Sequence, residues 1–283
     1  ITCLAVNEEN LGLSAHCSSS ILRLWHQGSG EELEELKGGQ VNDVEAVEFF
    51  PSGLVILSGG QDLSAVVWSA ETGQPARVLR AHAARITAVG ILGIGKEVLT
   101  LSADGSLKVW NCGQGAPVLT ANPGIGPLSA LALSSHYRET KTSSRTEDGL
   151  LAMGSDLGKL VVWNLAANSL VQKMDICPNS SITGMAFLGE SEQELAVASA
   201  HGCLYILAYS YPNKWSLELA LGFGDGSAIV FKAQAPKDAL ELSGPDAGDP
   251  ITSIAANHQV LFTGSRDGVI RGYERCLIDS LPI

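Results

Sequence analysis

His82, Ser102 and Asp104 fall in one short stretch that ends in Trp110, and the first three are of the types that make an acid–base–nucleophile set. Arranged as a triad they would carry out acyl transfer: the serine attacks, the histidine takes its proton and the aspartate orients the ring. Such a set also needs an oxyanion hole and a substrate cleft beside the serine. No second convergence of acid, base and nucleophile occurs in the chain. His16, His26, His136, His201 and His258 show no metal-ligand spacing with Asp, Glu or Cys, and read as surface or turn residues. The six cysteines (Cys3, Cys17, Cys112, Cys177, Cys203, Cys276) are scattered without a Cys-x-x-Cys pair, so neither a zinc site nor a redox motif is expected. Free thiols in a reducing compartment are the simplest reading. Gly222–Gly226 (GFGDG) lacks the Lys-Ser/Thr of a phosphate loop and opens no helix, so it reads as a strand turn. No cofactor is expected.

Charge narrows the partners. The formal net charge is −12, with a pI near 4.9. Such a surface repels phosphate backbones and anionic lipid, which argues against nucleic acid and membrane surfaces and for a basic protein. Plain solubility is the alternative use of the same charge. No apolar run approaches the roughly 18 residues of a membrane span.

The elements that position these residues repeat. Val44–Trp68 reads as three strands, Val44–Phe50, Leu54–Ser58 and Ser64–Trp68, joined by Pro51-Ser52-Gly53 and by Gly59-Gly60-Gln61-Asp62. The order recurs at a period of roughly 40 residues, the size of one four-stranded propeller blade. Runs such as LVVW and AVVW, apolar on both faces, suit strands held between neighbouring sheets. Glu31–Leu36 (EELEEL) has helical composition but occupies an outer-strand place in the repeat, and is assigned as strand.

The turns before the third strands fall at Ser19, Asp62, Asp104, Leu157, His201, Asp225 and Asp267, which predicts an all-β, seven-bladed propeller with four antiparallel strands per blade. The blades are 1–40, 41–81, 82–124, 125–178, 179–214, 215–248 and 249–283 of one domain. The long interval from Asp104 to Leu157 is explained by a polar insertion, Tyr137–Asp148. The short one from His201 to Asp225 leaves blades five and six incomplete, with a segment expected to be missing near Tyr211–Leu217. The chain begins at Ile1 rather than Met, so an N-terminal region of the parent protein is expected upstream. Either Leu277–Ile283 or an upstream strand would close the last blade, Pro282 making the former acceptable only at an edge.

The repeats resemble WD-repeat propellers, although no Trp-Asp dipeptide survives: the strand-ending tryptophans read Trp25-His, Trp68-Ser, Trp110-Asn and Trp163-Asn. Ala81-His82 stands where those repeats have Gly-His. The resemblance implies a structural tetrad of His82, Ser102, Asp104 and Trp110, a hydrogen-bond chain within one blade rather than a catalytic set.

A narrower resemblance rests on Val41–Asp62 with Trp68–Glu71, on LSADGSLKVWNCG (Leu101–Gly113), the polar insertion, Gly224–Ser227 and SRDGVIRGY (Ser265–Tyr273). These are similar to the proteasomal ATPase-associated factor family. That resemblance implies a non-enzymatic, monomeric, cytoplasmic and nuclear chaperone of proteasome regulatory-particle assembly. Its partner would be the small, basic, helical C-terminal domain of a proteasomal AAA-type ATPase subunit.

A propeller binds through loops displayed on a rigid ring. One face would carry Asp43, Glu45, Asp62, Asp104, Asp156, Asp225, Asp249 and Asp267, with Arg266 among them, and would steer a Lys/Arg-rich domain onto it. Asp62, Asp104 and Asp267 occupy turn positions with a structural use. Asp43 and Asp249 lie between blades and are the better binding candidates. The acidic loop Glu190–Glu194 would lie on the opposite face. The alternative function, a general adaptor such as a ubiquitin-ligase substrate receptor, lacks the Trp-Asp-x-Arg signature many such receptors carry.

Overall fold

The computed structural model describes residues 3–7, 11–15, 20–134, 149–188, 194–200, 204–208, 218–222, 228–232, 235–242, 251–256, 260–265 and 270–274. Every regular element among them is a β-strand, and each strand pairs antiparallel with its neighbour in sequence. The first four sheets have four strands each. They are β1–β4 (Cys3–Val6, Leu11–Ala15, Leu22–His26, Glu32–Leu36), β5–β8 (Val44–Phe49, Val55–Gly60, Ser64–Ser69, Pro75–Arg80), β9–β12 (Ile86–Leu92, Glu97–Ser102, Leu107–Asn111, Ala116–Ala121) and β13–β16 (Leu128–Leu133, Leu150–Ser155, Lys159–Asn164, Ser169–Asp175). Three sheets have three described strands each: β17–β19 (Ile182–Leu188, Glu194–Ser199, Leu204–Ala208), β20–β22 (Glu218–Gly222, Ala228–Lys232, Ala235–Leu242) and β23–β25 (Ile251–Ala256, Val260–Ser265, Ile270–Glu274). This is the all-β architecture of a β-propeller.

Strand β4 answers the ambiguity of EELEEL. Pairing with β3 outweighs its helix propensity, because Leu36 is buried there opposite Leu22. The Tyr211–Leu217 stretch, the insertion Tyr137–Asp148, the loop residues 189–193 and the tail Leu277–Ile283 lie outside the described residues.

The first strands of successive sheets pack side by side: β1 on β5, β5 on β9, β9 on β13, β13 on β17, and β20 on β23, with β23 returning to β1. The core therefore lies between sheets. Leu13, Leu22, Leu24 and Leu36 of the first sheet pack with Val44, Ile56, Val66 and Trp68 of the second. Leu57, Ala65 and Val67 of the second sheet pack with Ile86, Val89, Val98 and Trp110 of the third. Middle strands such as β7 are buried almost end to end, whereas the outer strand β16 is exposed almost throughout. Each fully buried leucine, valine or isoleucine contributes about 1.5–3 kcal/mol, so the seams between sheets hold the ring together. Close approach at these seams requires glycine at two equivalent places. A Cβ on Gly59 would lie 2.5 Å from Ile86 Cγ2, and one on Gly154 would lie 2.6 Å from Ile182 Cγ2.

A register shift recurs near the start of the inner strands, passing over Glu45, Thr87, Ser129, Thr183 and Thr252. Such bulges re-aim a side chain. The Thr87 hydroxyl thereby donates to the Leu128 carbonyl at 2.9 Å, and the Ser129 hydroxyl to the Ile182 carbonyl at 2.7 Å. Each bond crosses from one sheet to the next. Glu45 occupies the same place at the seam between the second and third sheets, where an ionised carboxylate has no proton to donate. Replacing Thr87 by Val keeps the shape and removes the cross-seam donor. We expect it to lower unfolding free energy by about 1 kcal/mol in urea titration with an unchanged m-value.

Candidate protein-binding site

The functional surface begins with a buried chain of hydrogen bonds that fixes its loops. The Trp110 indole N–H donates to Thr100 Oγ1 at 2.9 Å, and Thr100 Oγ1 lies 2.6 Å from His82 Nε2. His82 Nδ1 lies 3.1 Å from Asp104 Oδ2. A carboxylate only accepts, so the imidazole proton belongs on Nδ1 and Nε2 accepts from the threonine hydroxyl. Asp104 further accepts from the Ala83 N–H at 2.9 Å, from the Ser106 N–H at 2.8 Å and from the Ser106 hydroxyl at 2.6 Å.

Ser102 is not the hydroxyl of this chain, contrary to the sequence expectation. Its Oγ donates to the Ala84 carbonyl at 3.0 Å and accepts from the Asp104 N–H at 3.1 Å. The two residues share a face of β10, and position along the strand separates them. Ser102 sits at the end of β10, at the turn, while Thr100 is the hydroxyl of that strand that meets the indole of Trp110.

By distance alone Thr100, His82 and Asp104 resemble a nucleophile–base–acid relay. Burial decides against it. Thr100 has no exposed surface and Trp110 is 1% exposed, so no acyl carbon can reach the hydroxyl.

The second sheet holds a variant. Trp68 Nε1 donates to Ser58 Oγ at 2.8 Å and Ser58 Oγ donates to Gln40 Oε1 at 2.7 Å. Gln40 stands where the third sheet has His82. Asp62 accepts from the Val41 N–H at 3.1 Å and the Ser64 N–H at 3.2 Å, as Asp104 does from Ala83 and Ser106. The signal for both hydroxyls was present in the sequence: Ser58 and Thr100 each lie ten residues before their tryptophan.

Electrostatics follow from this geometry. Burial holds the His82 imidazole below its ordinary pKa and outweighs the hydrogen bond and charge of Asp104, which favour protonation. For Asp104, burial pushes upward, but the hydrogen bonds from Ser106, Ala83 and His82 prevail and hold the carboxyl well below the usual carboxylate range. Burial pushes the Cys112 thiol up to about 11, which leaves it protonated and a poor nucleophile at neutral pH. Among the described residues no three His, Cys, Asp or Glu side chains gather as they would around a metal ion.

The loop face carries the remaining candidates. Asp43 lies beside the turn of the second sheet, its carbonyl accepting from the Gln61 N–H at 3.0 Å, and its half-buried carboxylate makes no hydrogen bond. Glu45 is held by Arg85, whose Nη1 lies 3.0 Å from both carboxylate oxygens. Arg85 Nη2 lies 3.9 Å from Asp156 Oδ2, and Asp156 also accepts from the Ser181 hydroxyl at 2.9 Å. One exposed guanidinium thus bridges carboxylates of the second and fourth sheets from a position just before β9. The sequence reading missed Arg85, since nothing local marks an arginine that meets its partners only when three sheets converge. Asp62 and Asp104 turn their carboxylates onto backbone N–H groups, so they support the loops rather than line a surface. Asp225, Asp249, Arg266 and Asp267 lie outside the described residues.

The WD domain, G-beta repeat model (WD40) matches residues 30–69, 73–111 and 238–274. The chain carries WD40 repeats. It is 28% identical over 140 residues to WD repeat-containing protein 18 of Danio rerio, across 46% of this chain and 32% of that protein. It is 35% identical over 132 residues to the 26S proteasome regulatory subunit RPN14 of Saccharomyces cerevisiae, across 45% of this chain and 31% of that protein. It is 26% identical over 275 residues to the Angio-associated migratory cell protein of Homo sapiens, across 96% of this chain and 57% of that protein. The chain thus spans between 31% and 57% of the length of these relatives. WD40 repeats are protein-interaction modules, and within the first two matched repeats the hydrogen bonds above hold the loop that joins one sheet to the next.

Two measurements test this account of the WD40 tetrad. Thr100→Val strands a buried indole donor and a buried imidazole nitrogen, and we expect a loss of about 2–4 kcal/mol in unfolding free energy. Ser102→Ala, which spares the chain, should cost less than half as much. The pH dependence has a definite sign. The depressed His82 pKa makes its contribution fully present above the ordinary histidine value of about 6.5 and lost as pH falls through the folded-state value. Stability measured from about pH 8 to pH 5 should therefore fall on the acid side, and His82→Asn should flatten that limb.

Proposed function

We propose that this protein is a non-enzymatic WD40 scaffold that binds a proteasomal AAA-type ATPase subunit through its loop face and assists assembly of the proteasome regulatory particle. The likeness to a 26S proteasome regulatory subunit, at 35% identity, is the observation that carries the proteasomal part of this reading. The geometry supports the binding part: a rigid loop face on an acidic molecule, with Asp43 unpaired and Glu45, Asp156 and Arg85 beside it. A cationic helical domain, the C-terminal domain of such a subunit, matches that charge. By the sequence resemblance stated above, the protein works as a monomer in the cytoplasm and nucleus.

A second reading, a general WD40 adaptor, is favoured by one observation. The likeness to the Angio-associated migratory cell protein runs over 96% of the chain, whereas that to the proteasome subunit covers 45%. Calorimetric titration of the chain with the C-terminal domains of the proteasomal ATPase subunits separates the two. Asp43→Lys should weaken the measured affinity roughly three- to tenfold and reduce its salt dependence while leaving the unfolding midpoint in place. Failure of every subunit to bind would favour the adaptor reading, and unchanged affinity in the variant would remove this face from the account.

A further inference from the structure

Leu63 is an anomaly of backbone and of exposure at once. It follows Asp62 in the turn between β6 and β7 with φ +64°, in the left-handed region. The same turn position in the third and fourth sheets is Gly105, φ +81°, and Gly158, φ +73°. Glycine suits that place because a β-carbon there crowds the following carbonyl. A leucine bears that cost here while leaving 39% of its surface in water. Strain of this kind, placed at an exposed side chain, points toward a use outside the fold.

The neighbours of Leu63 share the pattern. Val41, whose N–H is bonded to Asp62 Oδ2, is 75% exposed. Asp43 lies beside the same turn through the Gln61 N–H. In the fourth sheet Leu157 occupies the turn place of Asp62 and Asp104 and is 51% exposed, next to Asp156. The loop face thus carries three bare aliphatic side chains among Asp43, Glu45 and Asp156. Exposed aliphatics set within charges form the pattern of an interaction patch, where apolar anchors give affinity and the charged surround gives orientation.

We infer that Val41 and Leu63 are the apolar anchors of this WD40 face, and that they seat in an apolar groove of a helical protein domain whose rim carries lysine and arginine. The occupant follows from charge complementarity. The surround at Asp43, Glu45 and Asp156 is acidic, the whole chain carries −12, and Arg85, a cation among the described residues of this face, is already engaged by Glu45 and Asp156. The inference rests on the partner class proposed above and adds the residues that seat it.

The test uses the full chain and the C-terminal domains of the proteasomal ATPase subunits as probes, with affinity read by calorimetry and folding by thermal unfolding. Leu63→Gly restores the residue that the neighbouring turns use. It should weaken binding about tenfold while the unfolding midpoint stays in place or rises. Val41→Ser should weaken binding comparably. Leu54→Ser, at the opposite ends of the strands, and Leu170→Ser, on an outer strand, remove leucines more exposed than Leu63 and should leave affinity unchanged. Wild-type binding that survives both Leu63→Gly and Val41→Ser would overturn this inference alone. A lower midpoint in Leu63→Gly would also overturn it, since it would make Leu63 a packing residue. Absence of wild-type binding to any of the domains would overturn both this inference and the proteasomal reading.

Discussion

A buried indole N–H is best given an acceptor that is itself satisfied, a requirement that the third sheet meets and the fourth does not, since Trp163 Nε1 is buried without a partner. From that requirement comes the chain Trp110–Thr100–His82–Asp104, which runs from the middle of a sheet to the loop at its end. Each member leaves the next a polar atom to cover, and the series ends at a carboxylate wrapped by backbone N–H groups of two loop segments. The loop before β9 and the turn after β10 are thereby fixed to each other. A loop face built this way can present side chains with little ordering cost on binding. The second sheet has a shorter relay, Trp68–Ser58–Gln40, which stops at the buried Gln40 amide, and its Asp62 ties the loops through the Val41 and Ser64 N–H groups alone.

The ring itself is held by a different physics. Its core lies between sheets, so every seam demands that two apolar surfaces meet without a gap, and glycine appears where a side chain would collide. The bulge that recurs in five of the inner strands then re-aims one residue of the strand. Where that residue is Thr87 or Ser129, a hydroxyl links adjacent sheets. Where it is Glu45, the link is an ion pair with Arg85 instead, exposed on the arginine side and half-buried at the carboxylate. A position that serves cohesion elsewhere in the ring has here been given over to surface charge.

The face that results is acidic at its edges and aliphatic at Val41, Leu63 and Leu157. The two properties answer different needs: charge acts at a distance and orients an approaching cation, while apolar contact acts only on arrival. The left-handed leucine belongs to the second. The turn itself does not ask for it, since glycine fills the same position in the next two sheets.

What the sequence determined by itself was the repeat. The strand–turn–strand order, the tryptophan at the end of each third strand in the first four sheets, and the Asp turns follow from local rules of period, turn chemistry and aromatic packing, and they specify an all-β ring. Even EELEEL yielded to its place in the repeat. Asp62 and Asp104 were legible as turn supports for the same reason. What only the tertiary structure decided was which side chains meet across elements. Thr100 takes the role expected of Ser102 because which hydroxyl on that face of β10 comes level with the Trp110 indole depends on the register of β10 against β11, and a register is not a local property. Arg85 joins Glu45 and Asp156 because three sheets distant in sequence converge at one loop face, and the strain at Leu63 became visible only as a backbone angle. Local chemistry writes the elements; the contacts that bind a partner arise where separate elements are brought together, and that depends on closing the ring.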